Sequence, residues 1–175
     1  MFRLFNFLLL IPLISTYIQL EQPEHPRLKL TWDFFRNDKP AGEYYSACTY
    51  ANFDYTYQTK SFTKNEIKVK FIVNYKLDTA KSYFEAKYVM KDYNLLAHEQ
   101  GHADLGVIHA RKMYKELTAA IYNKENYKKK IESIFNKVLA EWKIENQRYD
   151  EETAFSKNHL AQNEWNVFFD ANFYK

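Results

Sequence analysis

With 175 residues, 46% of them hydrophobic and 27% charged, the chain has room for one domain with a proper core and not comfortably for two. A net charge of only +3, with dispersed lysines, no basic patch interleaved with aromatics and no glycine-rich phosphate loop, argues against a nucleic-acid partner. The composition is rich in Tyr (15) and Phe (14) and poor in Gly (3).

Met1-Phe2-Arg3 supplies a short positive start, and Leu4 to Ile18 is mostly apolar with Pro12 inside it. That length suits the apolar region of a signal peptide better than a membrane span, which needs about 20 apolar residues. Residues 1–20 therefore read as a signal peptide, or as an N-terminal anchor if uncleaved, since only Ser15 and Thr16 mark a cleavage point. The expectation is a secreted or periplasmic protein whose only membrane contact would be an uncleaved N-terminus. Glu21 to Arg27, with Pro23 and Pro26, reads as a linker, and residues 28–175 as a single domain. The lone Cys48 excludes an internal disulfide and reads as a small apolar filler.

Leu28-Lys29-Leu30-Thr31-Trp32 alternates and predicts a first strand, followed by turns at Asp33-Phe34-Phe35 and Lys39-Pro40-Ala41-Gly42. Further strands are predicted near Tyr44 to Tyr50, Tyr55 to Phe62 and Ile67 to Tyr75, with breaks at Asn52-Phe53-Asp54 and Thr63-Lys64-Asn65-Glu66. Alternation from Ile67 onward predicts an antiparallel sheet covered on one face. Ser82 to Met90 reads as a connection. Helices follow: one carrying His98 to about Leu117, one over about Glu125 to Tyr149, and a shorter one over about Ser156 to Phe169 with Leu160, Trp165 and Phe168 inward. Strands first and helices after is the order of an α+β domain.

The first of these helices holds the chemistry. Leu95-Leu96-Ala97-His98-Glu99-Gln100-Gly101-His102-Ala103-Asp104 contains H-E-x-x-H. On a helix, two histidines four residues apart point within about 40° of one another, so both imidazoles can reach one ion. Glu99 sits on an adjacent face, able to reach a water on that ion without ligating it. Asp92 or Asn94 supplies an N-cap, and Leu95, His102, Leu105, Met113 and Leu117 form one stripe with His98. Gly101 and Gly106 fall in the same helix, where glycine costs about 1 kcal/mol relative to alanine; close approach of another element is the physical reason.

A catalytic zinc site usually has three protein ligands and a water. His109 shares the stripe but lies about 10 Å beyond His102 along a continuous helix, too far to share one ion. The remaining candidates are Glu145, Asp150, Glu151, Glu152 and His159, and helical phase does not choose among them. Tyr149 is a candidate donor to an oxyanion or a supporting group, and Asp104 a supporting carboxylate pointing away from the histidines.

The stretch from Leu95 to Leu105, together with Gln147-Arg148-Tyr149-Asp150-Glu151-Glu152-Thr153, Gln162-Asn163-Glu164-Trp165-Asn166 and Leu30-Thr31-Trp32-Asp33, resembles a bacterial family of unknown function whose members are described as predicted secreted zinc-dependent proteases. The resemblance implies a metal helix with His98, Glu99 and His102, and a Y-D-x-x-T segment at Tyr149, Asp150 and Thr153. Many members carry an aromatic residue at the position of Ala103, and His-Gly at Phe155-Ser156. Because Asp150 matches and the histidine position does not, Asp150 is the preferred third ligand.

The combined expectation is a zincin-like metal helix in a Zn2+-dependent hydrolase, most readily a metallopeptidase acting on a peptide or protein. Zinc lowers the pKa of its bound water to about 7, and Glu99 takes the proton as general base. The alternative is an exported, non-enzymatic binding module with a structural metal or none.

Overall fold

The computed structural model describes residues 27–63, 66–85 and 92–173. The predicted signal segment, most of the linker and part of the Ser82–Met90 connection lie outside these residues. A short 3-10 turn, Trp32–Phe34, leads into strands β1 (Asn37–Asp38), β2 (Ala47–Cys48), β3 (Ala51–Phe62), β4 (Ile67–Leu77) and β5 (Tyr83–Phe84). Helices α1 (Tyr93–Ala119), α2 (Tyr127–Glu152) and α3 (His159–Phe173) follow. The fold is mixed α+β, with a sheet region followed by two long helices and a shorter one.

The dominant sheet is the β3–β4 hairpin. Its antiparallel register runs from Ala51 opposite Leu77 to Phe62 opposite Ile67, with an irregularity between Thr59 and Ser61 that leaves Lys60 as the extra residue. Ile67, Phe71, Val73 and Tyr75 of β4 are buried at odd positions while Lys68, Lys70, Ile72 and Lys76 face out. That period of two presses one face of the hairpin onto Val107, Ala110, Met113 and Leu117 of α1 and Ile131 and Val138 of α2. The predicted break at Asn52-Phe53-Asp54 is absent; β3 runs through it because Phe53 packs on Tyr75 and Trp142.

The sheet region differs from a single antiparallel sheet. Three two-residue strands form a separate small sheet in the order β1-β5-β2, with β1 parallel and β2 antiparallel to β5. The predicted strand at residues 28–32 is not a strand. The Leu30 amide donates to Gln100 Oε1 at 2.7 Å, and Gln100 Nε2 donates to the Leu28 carbonyl at 2.6 Å. A side chain of the first long helix, Tyr93–Ala119, therefore takes the backbone groups that a ladder would have used. The Tyr44–Tyr50 strand shrinks to Ala47–Cys48, with Tyr44 and Tyr45 exposed.

Helix α1 starts where Asp92 caps it, accepting from the Asn94 and Leu95 amides. Helices α1 and α2 run antiparallel: His98 meets Asp150, and Lys137 of α2 pairs with Glu116 near the far end of α1. Helix α3 covers their other side through Trp165 and Phe169, which pack with Leu105 and Tyr149. Leu160 and Phe168, predicted inward, are 79% and 37% exposed, because α3 turns Gln162, Trp165 and Phe169 to the core instead. Both helical glycines are sites of close approach. A Cβ on Gly106 would overlap the Tyr75 ring, and one on Gly101 would overlap the Tyr149 hydroxyl.

Candidate metal centre

His98 and His102 project from one face of the first turns of α1, their rings 4.8 Å apart and nearly perpendicular. Asp150, two residues from the end of α2, puts one oxygen between them. Its Oδ1 lies 3.1 Å from His98 Nε2 and 3.0 Å from His102 Nε2. The three ligand atoms lie within 4.8 Å of one another. A tetrahedral zinc with bonds of about 2.0–2.1 Å has ligand–ligand edges of about 3.3 Å, so small side-chain adjustments would close this triad on one ion.

The hydrogen bonds behind the imidazoles decide which nitrogens face the centre. Thr153 Oγ1 donates its only proton to the Tyr149 carbonyl at 2.6 Å, so at 3.2 Å it accepts from His98 Nδ1–H. Asn146 Nδ2 donates to the Trp142 carbonyl, leaving its Oδ1 to accept from His102 Nδ1–H at 2.7 Å. Both Nε2 atoms are thereby left as the groups aimed at the Asp150 carboxylate. In neutral imidazoles these would be lone pairs facing a carboxylate oxygen, an arrangement that requires a proton or a cation between them.

The charges follow from this. Burial works against a charge on His102, but the hydrogen bond to Asp150 and the charges of Glu99 and Asp150 outweigh it and lift its pKa to about 9. Burial raises the Asp150 carboxyl, yet hydrogen bonds from His102 and His98 hold it well below the usual carboxylate range. The raised His102 pKa favours a proton shared between this ring and Asp150 at neutral pH.

Glu99 is 2% exposed. Thr49 Oγ1, from the segment between β2 and β3, donates to Glu99 Oε2 at 2.6 Å. Glu99 Oε1 has no hydrogen-bond partner among the described residues. A cavity of about 510 Å³ opens over the triad, lined by His98, Glu99, His102 and Asp150 together with Tyr44, Tyr45, Ala47, Leu95 and Phe155 and the charged Asp92 and Lys157. Cys48 lines it as well; burial first, then the charges of Glu99, Asp150 and Glu43, push its thiol up to about 12.

The other sequence candidates lie elsewhere. Tyr149 is fully buried behind the histidines: its ring stacks on His98 at 4.7 Å, and its hydroxyl lies 3.0 Å from the His98 carbonyl and 2.9 Å from Gln162 Oε1. It braces α1 from behind and does not face the cavity. Asp104 points away from the triad to Arg27 at 2.7 Å and to Gln100. His109 donates through Nδ1 to the Leu105 carbonyl and meets Glu145 at 3.2 Å, which accounts for both residues. Glu151 accepts from Gln147, Glu152 from Arg148 and Trp165, and His159 is exposed at the start of α3.

Sequence reasoning passed over Thr49 and Asn146. Asn146 had a signal, since it stands one turn before Asp150 on the same face of α2. Thr49 had none, being fifty residues from Glu99 in a stretch without a motif.

The profile of a family described as "Bacterial protein of unknown function (DUF922)" matches residues 23–159. The chain belongs to this family. The matched DUF922 region takes in His98, Glu99, His102, Asp150 and Thr153, and so the whole centre. No curated protein and no solved structure matches the chain.

Proposed function

We propose that this DUF922 protein is a zinc-dependent hydrolase, most readily a metallopeptidase. The observation that carries the reading is the convergence of two imidazole Nε2 atoms and one carboxylate oxygen at the floor of an open cavity. A zinc ion held by His98, His102 and Asp150 would supply Lewis acidity and lower the pKa of a water to about 7. Glu99 is held through Oε2 by Thr49, and its Oε1 takes a proton from the water whose oxygen bonds to the substrate carbonyl carbon, then passes it to the amine released as the C–N bond breaks. Thr153 and Asn146 hold each imidazole in the tautomer whose Nε2 faces inward, while Tyr149 braces His98 from behind.

A closed structural site would need a fourth protein ligand. Among the described residues the cluster has three members, which favours the open, catalytic kind. We infer export from the apolar N-terminal segment alone; among the described residues no helix is long and apolar enough to cross a membrane.

The test is elemental analysis of the purified protein beside His98→Ala and Asp150→Ala, with hydrolysis of an unfolded protein substrate measured in parallel. The wild type is expected to carry about one zinc per chain and both variants much less. Glu99→Gln is expected to keep the zinc and lose at least about 100-fold in rate. Full activity in a zinc-loaded Glu99→Gln protein would overturn the mechanism.

A further inference from the structure

Beside the triad, the lining of the cavity includes three aromatic rings that are open to water. Tyr44 is 82% exposed, Tyr45 42% and Phe155 37%. The Tyr45 and Phe155 rings are in contact, with centroids 5.1 Å apart, although one comes from the loop before β2 and the other from the turn between α2 and α3. Tyr44 packs edge-on against Tyr45 at 5.4 Å. This ring pair also borders a second cavity, of about 500 Å³, that shares Thr49, His102 and Asp150 with the first. The pair therefore lines two chambers that both reach His102 and Asp150.

The backbone presenting Phe155 is strained. Ala154, Phe155 and Ser156 have φ of 47°, 52° and 75°, three successive left-handed residues without a glycine. Each costs on the order of 1 kcal/mol or more. The turn is held by the Phe155 amide on the Asp150 carbonyl and the Asn158 amide on the Thr153 carbonyl. A connection between two helices has no need of a bulky ring in that conformation. Its result is an aromatic face at the mouth of the site, fixed by the same helix end that carries Asp150.

We propose that the Tyr45–Phe155 pair is a specificity-determining subsite that takes a large apolar side chain, preferably aromatic, on the residue next to the cleaved bond. The chemistry is that of ring packing: Tyr44, Tyr45, Ala47 and Phe155 give the lining an apolar, mostly aromatic part, beside which Asp92 and Lys157 also line the cavity, and exposed rings gain most from covering by another ring or a broad aliphatic group. The position next to the bond follows from the residues that the two chambers share. That a bond is cleaved there rests on the hydrolase reading; the side-chain preference does not require turnover.

The experiment therefore reads binding. Metal-depleted full-length protein is titrated with N-acetyl-Ala-Phe-Ala-amide, N-acetyl-Ala-Ala-Ala-amide and N-acetyl-Ala-Glu-Ala-amide, and NMR shifts are followed. The Phe peptide is expected to bind about tenfold more tightly than the other two. Tyr45→Ser and Phe155→Asn are expected to reduce that preference to about twofold or less, while Phe155→Tyr keeps it. Asn tolerates the left-handed backbone, so the turn survives the loss of the ring. Equal binding of the three peptides, no binding of any, or a preference that persists in both variants would overturn the proposal. A protein that takes up no zinc yet shows the preference keeps this inference and loses the hydrolase reading; a zinc-loaded hydrolase without the preference does the reverse.

Discussion

Replacing Gly101 by alanine tests how the helix that carries His98 and His102 is held. A Cβ there would fall inside the Tyr149 hydroxyl and Cζ and 2.9 Å from Cε1. Tyr149 has nowhere to go: it is fully buried, stacked on His98 and packed edge-on against His102, Trp165 and Phe169. Overpacking a rigid ring costs about 3 kcal/mol, at the upper end of the usual range. Loss of the hydroxyl's bond to the His98 carbonyl adds about 1 kcal/mol, and the better helix propensity of alanine returns about 1 kcal/mol. Gly101→Ala should therefore be destabilised by about 3 kcal/mol, lowering Tm by about 6–12 °C in a chain of this size. The assay is urea and thermal unfolding in EDTA, in wild type and in a Tyr149→Leu background. With the ring gone, Gly101→Ala should become neutral or stabilising by up to about 1 kcal/mol. A Gly101→Ala protein as stable as wild type, or equally destabilised in both backgrounds, would refute the packing argument.

Other outcomes follow from the same geometry. His102 has a pKa raised from 6.5 to about 9 in the metal-free protein, so its bond to Asp150 stabilises fully below about pH 6.5 and is lost as pH rises through 9. Asp150, held low, contributes above its ordinary value of 3.8 and loses that contribution as pH falls further. The stability gap between wild type and Asp150→Asn in EDTA should thus be widest between about pH 4 and 6.5 and should close towards pH 9; a gap that grows over that upper range would contradict the assignment. Thr49→Val leaves a buried Glu99 oxygen without its donor and should destabilise by about 1–3 kcal/mol, with zinc content unchanged and stability restored in Thr49→Ser, as measured by unfolding and elemental analysis. Cys48, with its thiol at about 12, should react with iodoacetamide at pH 8 at least about 100-fold more slowly in the folded metal-free protein than in urea.

Much of this centre was legible in the sequence because it depends on local geometry. H-E-x-x-H within an uninterrupted apolar stripe sets His98 and His102 one turn apart on any α-helix, whatever surrounds it. Gly101 and Gly106, in a chain with only 3 glycines, announced close approaches, and Tyr149 and Tyr75 make them. The alternation from Ile67 marked a half-covered strand, since a period of two puts one set of side chains in the core.

What only the tertiary structure decided is the meeting of distant elements. Glu145, Asp150, Glu151 and Glu152 lie within eight positions on α2, and helical phase left them open. The choice is made by the register between two antiparallel helices, which the Tyr149 ring sets by seating against Gly101: that register puts Asp150 on the histidines and Glu145 on His109. Residues 28–32 had the alternation of a strand, but an alternating pattern cannot say where its backbone hydrogen bonds go, and Gln100 took them. Thr49 and Phe155 reach the cavity only because a sheet edge and a left-handed turn face each other across it. Contacts within one turn of helix follow from its period, whereas contacts between elements follow from how their surfaces interlock, and the sequence of either element alone does not contain that.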